Sequence, residues 1–236
     1  MTLGAEAPSD ANDSTMASPR AVLSVVFAGV AVALVGSMIA LSSIGASDDT
    51  DLTGPQEFSL AVPWLLALGG AGLVAGGLGG RDPRDSLGLR RPALSTIAFG
   101  VAGGLLLQVV VVAVDNWLIE PIFGIDVGAA GRELSEGFAG SERVLLVMLV
   151  AVIGPVGEEL LFRGALQGTL STIWANPRPL IMTTIVFALS HFQPAQFASL
   201  LIVGAMLGFL VQWRQSLWAS IACHVTFNVS GLVFLL

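Results

Sequence analysis

Apolar residues in this chain fall in long blocks, not in the short periodic stripes of amphipathic elements. Predominantly apolar stretches run near residues 21–43, 59–80, 93–114, 144–162, 180–193, 196–213 and 216–236. Crossing the hydrocarbon core of a bilayer takes roughly 20 mostly apolar helical residues. The pattern therefore predicts an all-α, polytopic transmembrane helical bundle of about seven spans, within a range of six to eight. The fifth block is short and bounded by Pro179 and Pro194. In the glycine-rich "LGGAGLVAGGLGG", small residues are expected to let helices approach closely and not to bind phosphate.

Composition supports this class. Of 236 residues, 54% are hydrophobic and only 11% charged, the profile of a polytopic membrane protein. The net charge of −7 comes mostly from the tail and two loops, so it is a surface property and carries no nucleic-acid signal. The single cysteine, Cys223, lies in an apolar segment and is read as a core residue. Residues 1–20 read as a disordered polar tail, and 21–80 as two N-terminal transmembrane helices. The first apolar block is too long for a cleaved signal peptide and is expected to be retained.

Basic residues set the expected orientation. The loop "GRDPRDSLGLRRPA" holds Arg81, Arg84, Arg90 and Arg91, which places it in the cytoplasm. The stretch "ASDDTDLTGPQE" has no basic residue, and the 115–143 connection has six acids against Arg132 and Arg143. Both are expected outside. Trp64, Trp117, Trp213 and Trp218 read as interfacial anchors, and Asp115 and Glu120 as solvated interface residues.

The polar residues that remain are few and concentrated. From Val144 onward the only acids are Glu158 and Glu159, and the only histidines in the chain are His191 and His224. Ionisable groups within membrane segments are usually retained for function. At a rise of ~1.5 Å per residue, Glu158, His224 and His191 come out about 8, 12 and 18 Å from the cytoplasmic surface, close enough to share one cavity in the cytosolic half of the membrane. Glu159 and Arg163 are four apart on one helix face and are expected to pair. Glu158 is rotated by about 100° and has no such partner, which leaves its carboxylate available to take and return a proton. "HVTFN" puts His224 and Asn228 four apart on one face, two side chains able to donate to a single oxygen.

"EELLFR" (158–163), "FALSH" (187–191) and "HVTFN" (224–228) resemble the EExxxR, FxxxH and HxxxN motifs of the CPBP family, the CAAX-protease and bacteriocin-processing proteins also called Abi. The resemblance covers roughly residues 85–236, so that 81–236 reads as a CPBP-type catalytic membrane domain. It implies an intramembrane endopeptidase similar to the type II CAAX-prenyl endopeptidase, acting on a membrane-associated protein or peptide, prenylated or leader-bearing, in the cytoplasmic membrane. Carried over by position, Glu158 is the general base, His191 helps to hold the water, and His224 with Asn228 stabilises the oxyanion. Glu159 and Arg163 organise the site.

The family is commonly labelled metalloprotease, and Glu158, His191 and His224 form a ligand set of the kind that holds zinc. There is no HExxH, however, and zinc on those three would leave Glu159, already paired with Arg163, as the base. A metal-free glutamate mechanism fits the helical faces better, and the sequence leaves zinc open. Oligomeric state is equally open. Blander roles stand beside these: Glu159 with Arg163 as a packing ion pair, His191 as a helix cap, His224 and Asn228 as interhelical glue, Phe187 as packing. Two other functional classes are a membrane scaffold or immunity protein that retains the motifs, and a proton-coupled transporter.

Overall fold

The computed structural model describes residues 18–44, 54–78, 82–129, 132 and 140–235. Most of the expected polar tail lies outside them. Eight helices follow in chain order. The first four are α1 (Pro19–Ile44), α2 (Gly54–Gly77), the short α3 (Pro83–Ser86) and α4, which runs from Leu94–Val114 through Asp115–Ile119 to Glu120–Phe123. Next, α5 is one long rod whose segments Gly140–Met148, Leu149–Ile153, Gly154–Glu159, Leu160–Gln167 and Gly168–Ile173 follow without a gap. Then come α6 (Arg178–Ser190), α7 (Phe197–Arg214) and α8 (Leu217–Leu235).

Local chemistry explains the ends. Ser18 Oγ accepts from the Ala21 amide at 3.2 Å, with Pro19 at the first helical position where its missing N–H is not needed. Asp82 caps α3 in the same way, accepting from Arg84 N at 2.9 Å, with Pro83 behind it. At the close of α7 the chain turns through Gln215 with φ 50°, a left-handed conformation more often given to glycine.

Three stretches of the long helices are wound as π-helix: Asp115–Ile119, Leu149–Ile153 and Leu160–Gln167. The first two each sit just before a proline, Pro121 and Pro155. A proline inside a helix cannot donate to the preceding turn and crowds it, and a wider local winding accommodates both effects.

The membrane reading holds. Among the described residues, four helices are long and apolar enough to cross a bilayer: Pro19–Ala40, Leu94–Phe123, Arg143–Ile173 and Pro194–Arg214; the expected total of about seven is not shown. Leu65–Gly77 and Arg178–Ser190 are apolar but shorter. At thirteen residues, α6 extends only ~20 Å, less than a hydrocarbon core of ~30 Å.

Packing is inverted relative to a water-soluble domain. Large apolar side chains such as Phe27, Met38, Leu66, Leu106 and Val109 point outward, while Glu159, Arg163, Gln167, Thr183, Ser220 and His224 are buried. An apolar exterior is what lipid tails accept, and polar groups in hydrocarbon must find partners inside. Helices meet closely through small residues. A Cβ on Gly104 of α4 would lie 2.5 Å from the Cys223 carbonyl of α8, and one on Gly72 of α2 would lie 2.7 Å from the Leu160 backbone of α5. The glycine-rich segment thus packs α2 against the helix that carries both glutamates.

Candidate functional site

Three helices bring their rare polar residues to one place. Glu158 and Glu159 come from α5, His191 from the end of α6, and His224 from two turns inside α8. Glu159 is fully buried. Its Oε1 accepts from Arg163 at 3.0 Å and from His224 Nδ1 at 3.0 Å, and its Oε2 accepts from the Ser220 hydroxyl. The i, i+4 pair read from the sequence is therefore present, and it is the centre of a larger network. Arg163 also donates to the Gly204 carbonyl of α7 at 3.2 Å and lies 4.1 Å above the Phe187 ring. One turn on, Gln167 donates to the Gly208 carbonyl at 3.1 Å, so two rungs tie α5 to α7.

Glu158 is set differently. Its Oε2 is buried and has no hydrogen-bond partner among the described residues. It faces His191 Nε2 at 3.8 Å and His224 Nε2 at 3.9 Å. The other nitrogen of each ring is already engaged: His191 Nδ1 with the Phe187 carbonyl at 2.8 Å, His224 Nδ1 with Glu159. Such second contacts place a hydrogen on Nδ1 and turn Nε2 of each ring towards Glu158. Phe187, fully buried, packs edge-on against both imidazoles, with centroids 4.6 Å and 5.9 Å away. It sets the rings while Arg163 holds its face.

Residue 228 is tied to the backbone of α5. Asn228 Nδ2 donates to the Val150 carbonyl at 2.9 Å. The reason lies in α5. In the π-helical turn Gly154 N bonds Leu149 O, and by the same spacing Val150 O would receive the amide of residue 155. That residue is Pro155, which has none. Asn228 satisfies the orphaned carbonyl, and an amide carries two N–H donors, so one hydrogen is still available.

All seven motif residues lie in a segment that matches a known family. Residues 140–230 match the model of the Rce1-like type II CAAX prenyl endopeptidases. The chain carries an Rce1-like domain. The match is shorter than the 85–236 of the motif resemblance, and it implies a protease with a protein substrate. No curated protein and no solved structure matches the chain. For zinc, the donors of the Rce1-like domain do not fit as they stand: among the described residues no group of three His, Cys, Asp or Glu is arranged to hold a metal ion.

Sequence reasoning missed several members. Ser220 and the Gly204 and Gly208 carbonyls give no sequence signal that separates them from packing positions. Asp115, read as solvated, is bonded to the Ser199 hydroxyl of α7, and Glu120 Oε1 accepts from Val127 N at 3.1 Å. The short hydroxy side chain at 199, following "FQPAQF", was the available hint. Trp218, read as an anchor, donates its indole N–H to the Leu89 carbonyl at 3.1 Å. Trp117 is 85% exposed, in keeping with an interfacial place, and the Trp64 side chain lies outside what is described.

Proposed function

We propose that this protein is an intramembrane endopeptidase that hydrolyses a peptide bond of a membrane-associated protein, with water activated by Glu158. The observation that carries the reading is the convergence of two anchored Nε2 atoms on an unpaired, buried carboxylate oxygen. Separations of 3.8 and 3.9 Å are too long for direct hydrogen bonds. They suit one water-sized nucleophile touching all three groups.

In this mechanism Glu158 takes the proton as water attacks the carbonyl, and His191 positions the water through Nε2. His224, carrying a proton on both ring nitrogens throughout the cycle, presents Nε2–H to the developing oxyanion while Nδ1–H stays on Glu159. Asn228 contributes its second amide hydrogen to the same oxygen. The proton held by Glu158 then passes to the leaving amine, restoring the carboxylate. Arg163, Ser220 and Glu159 keep His224 in place. The arginine-rich loop before α4 supports a cytoplasmic position for the starts of α4 and α8, and the family supports a CAAX-type substrate.

The test is peptidase activity of the purified protein on a farnesylated CAAX peptide, wild type against Glu158→Gln. Loss of turnover with an unchanged melting temperature is expected. Equal activity in the two proteins would remove Glu158 as the base.

A further inference from the structure

The arginine-rich segment before α4 has no part in the hydrolytic mechanism, yet it shapes two adjoining cavities where α4 and α8 begin. The larger, about 650 Å³, is lined by Arg84, Arg90 and Arg91, by Asp82 and Asp85, and by Trp218. The smaller, about 310 Å³, shares Asp85, Arg90 and Arg91 and reaches Ala93 and Thr96 at the start of α4. All three arginines are exposed, so each can meet a ligand from outside the fold.

Three arginines face two acids, and both acids are committed. Asp82 accepts from the Arg84 amide at 2.9 Å as the cap of α3, and Asp85 accepts from Arg90 Nε at 2.7 Å. Among the described residues no acid pairs with the guanidinium of Arg84 or Arg91. The wall is therefore net positive, in a chain whose net charge is −7. The first turn of α4 begins beside it with no side-chain cap at Ala93, and the positive end of that helix adds to the same field.

An apolar band continues from the cavities along α4 and α7. Leu94, next to Ala93, is 85% exposed, and Phe99 and Trp213, whose rings meet edge-on at 5.2 Å, are half exposed. Arg214 marks the boundary. Its guanidinium lies 5.0 Å over Phe99 and 5.4 Å over Trp213, and it donates to the Ser95 and Thr96 hydroxyls at 3.3 and 3.2 Å. A free phosphate or an acidic protein segment makes no use of such a band, whereas a phospholipid has a phosphate for the arginines and an acyl chain for the apolar side chains.

We infer that these cavities bind the headgroup of an anionic phospholipid of the cytoplasmic leaflet, with Arg84 and Arg91 on its phosphate and its acyl chain along Leu94, Phe99 and Trp213. That leaflet is the one whose anionic lipids attract basic segments beside membrane helices, and a guanidinium matches phosphate oxygens in geometry as well as charge. A zwitterionic headgroup brings its own ammonium, which the arginines repel. The same segment holds α8: the Gly88 carbonyl accepts from Leu217 N at 3.1 Å and the Leu89 carbonyl from the Trp218 indole at 3.1 Å. A bound headgroup therefore braces the start of the helix that carries His224.

The test is the melting temperature of the full chain in detergent with dioleoylphosphatidylglycerol, dioleoylphosphatidylcholine, inorganic phosphate or a polyglutamate peptide added. Phosphatidylglycerol at about a hundredfold excess over its Kd is expected to raise Tm by roughly 5–10 °C, well beyond the other three. Arg84→Gln/Arg91→Gln should lose that gain. Arg132→Gln/Arg178→Gln, which removes the same charge from two exposed arginines outside the cavities, should keep it. Quenching of tryptophan fluorescence by lipid brominated on its acyl chains gives a second readout. Brominated phosphatidylglycerol should quench more than brominated phosphatidylcholine, and most of the excess should vanish in Trp213→Phe. Equal gains from the two lipids, a gain that Arg84→Gln/Arg91→Gln retains, or a gain that both double variants lose overturns the site. A gain reproduced by phosphate makes the ligand a soluble anion, and one reproduced by polyglutamate makes it an acidic protein; either overturns the lipid. Should Arg84→Gln/Arg91→Gln fail to fold, quenching of the wild type decides, and no excess with brominated phosphatidylglycerol overturns the proposal.

Discussion

Removing the Glu159 carboxylate tests the network beneath the site. The substitution Glu159→Ala takes away the acceptor of Arg163, His224 and Ser220 together. Arg163 has no exposed side-chain surface, and it would keep only the Gly204 carbonyl and the Phe187 ring. Breaking a buried ion pair by deleting one partner typically costs about 3–5 kcal/mol, because the other charge is stranded. For a chain of this size each kcal/mol corresponds to roughly 2–4 °C in melting temperature, so a fall on the order of 6–20 °C is expected. Glu159→Gln retains one acceptor oxygen and should fall by about half as much, in line with the ~1.5–3 kcal/mol of a hydrogen bond to a charged group.

The molecule carries its own reporter. Cys223 is its single cysteine and is fully buried, so a thiol-reactive dye reads unfolding in detergent directly. Glu158→Gln, which leaves the network intact, should melt with wild type. The apolar double variant Glu159→Leu/Arg163→Met should recover much of the loss of Glu159→Ala, since well-packed apolar pairs replace buried ion pairs with little penalty. A Glu159→Ala protein that melts like wild type while losing all activity would refute the structural role and assign Glu159 to the chemistry.

Other expectations follow from the same geometry. Asn228→Ala should lower kcat on the order of 100-fold with little change in KM if its second amide hydrogen meets the oxyanion; lowered melting with kcat retained would restrict Asn228 to holding Val150. Peptidase activity should survive exhaustive chelation, because Glu158, His191 and His224 are not spaced as a ligand set; loss with chelator and rescue by zinc would reverse that. Gly104→Ala should destabilise by about 1–3 kcal/mol, read by the same dye, since its Cβ meets backbone at 2.5 Å, whereas Gly70→Ala, with nothing within 4 Å, should not.

What the sequence discloses depends on the range over which each constraint acts. The Glu159–Arg163 pair and the isolation of Glu158 follow from helical spacing alone, and both appear in the structure. Glycines in "LGGAGLVAGGLGG" announce close packing, and Gly72 duly meets the α5 backbone. Partners that come from other helices are invisible to spacing. Ser220 and the Gly204 carbonyl are chosen by how α8 and α7 lie against α5, and nothing in their own neighbourhoods marks them. The face shared by His224 and Asn228 was legible, but what each one meets was not, because that depends on the winding of a different helix. The partners of Asp115 and Glu120, both half-buried, were hidden for the same reason: the Ser199 hydroxyl and the Val127 amide reach them from α7 and from the turn after α4.

His191 shows that the bland and the chemical readings of a residue need not compete. It ends α6, and its Nδ1 meets the Phe187 carbonyl of the last turn, which is what a capping side chain does. That contact is also what turns Nε2 towards Glu158. Likewise Asn228 repairs a carbonyl freed by Pro155, and in doing so holds α8 against α5 at the level where His224 must reach Glu159. In a membrane interior every polar group needs a partner, so a catalytic side chain is oriented by the same bonds that make its burial tolerable. Structural satisfaction is therefore the means by which this cluster is preorganised. Variants that weaken the supporting bonds should lose rate and stability together, while Glu158, among the described residues the one carboxylate with a buried unsatisfied oxygen, is the position where rate alone should fall.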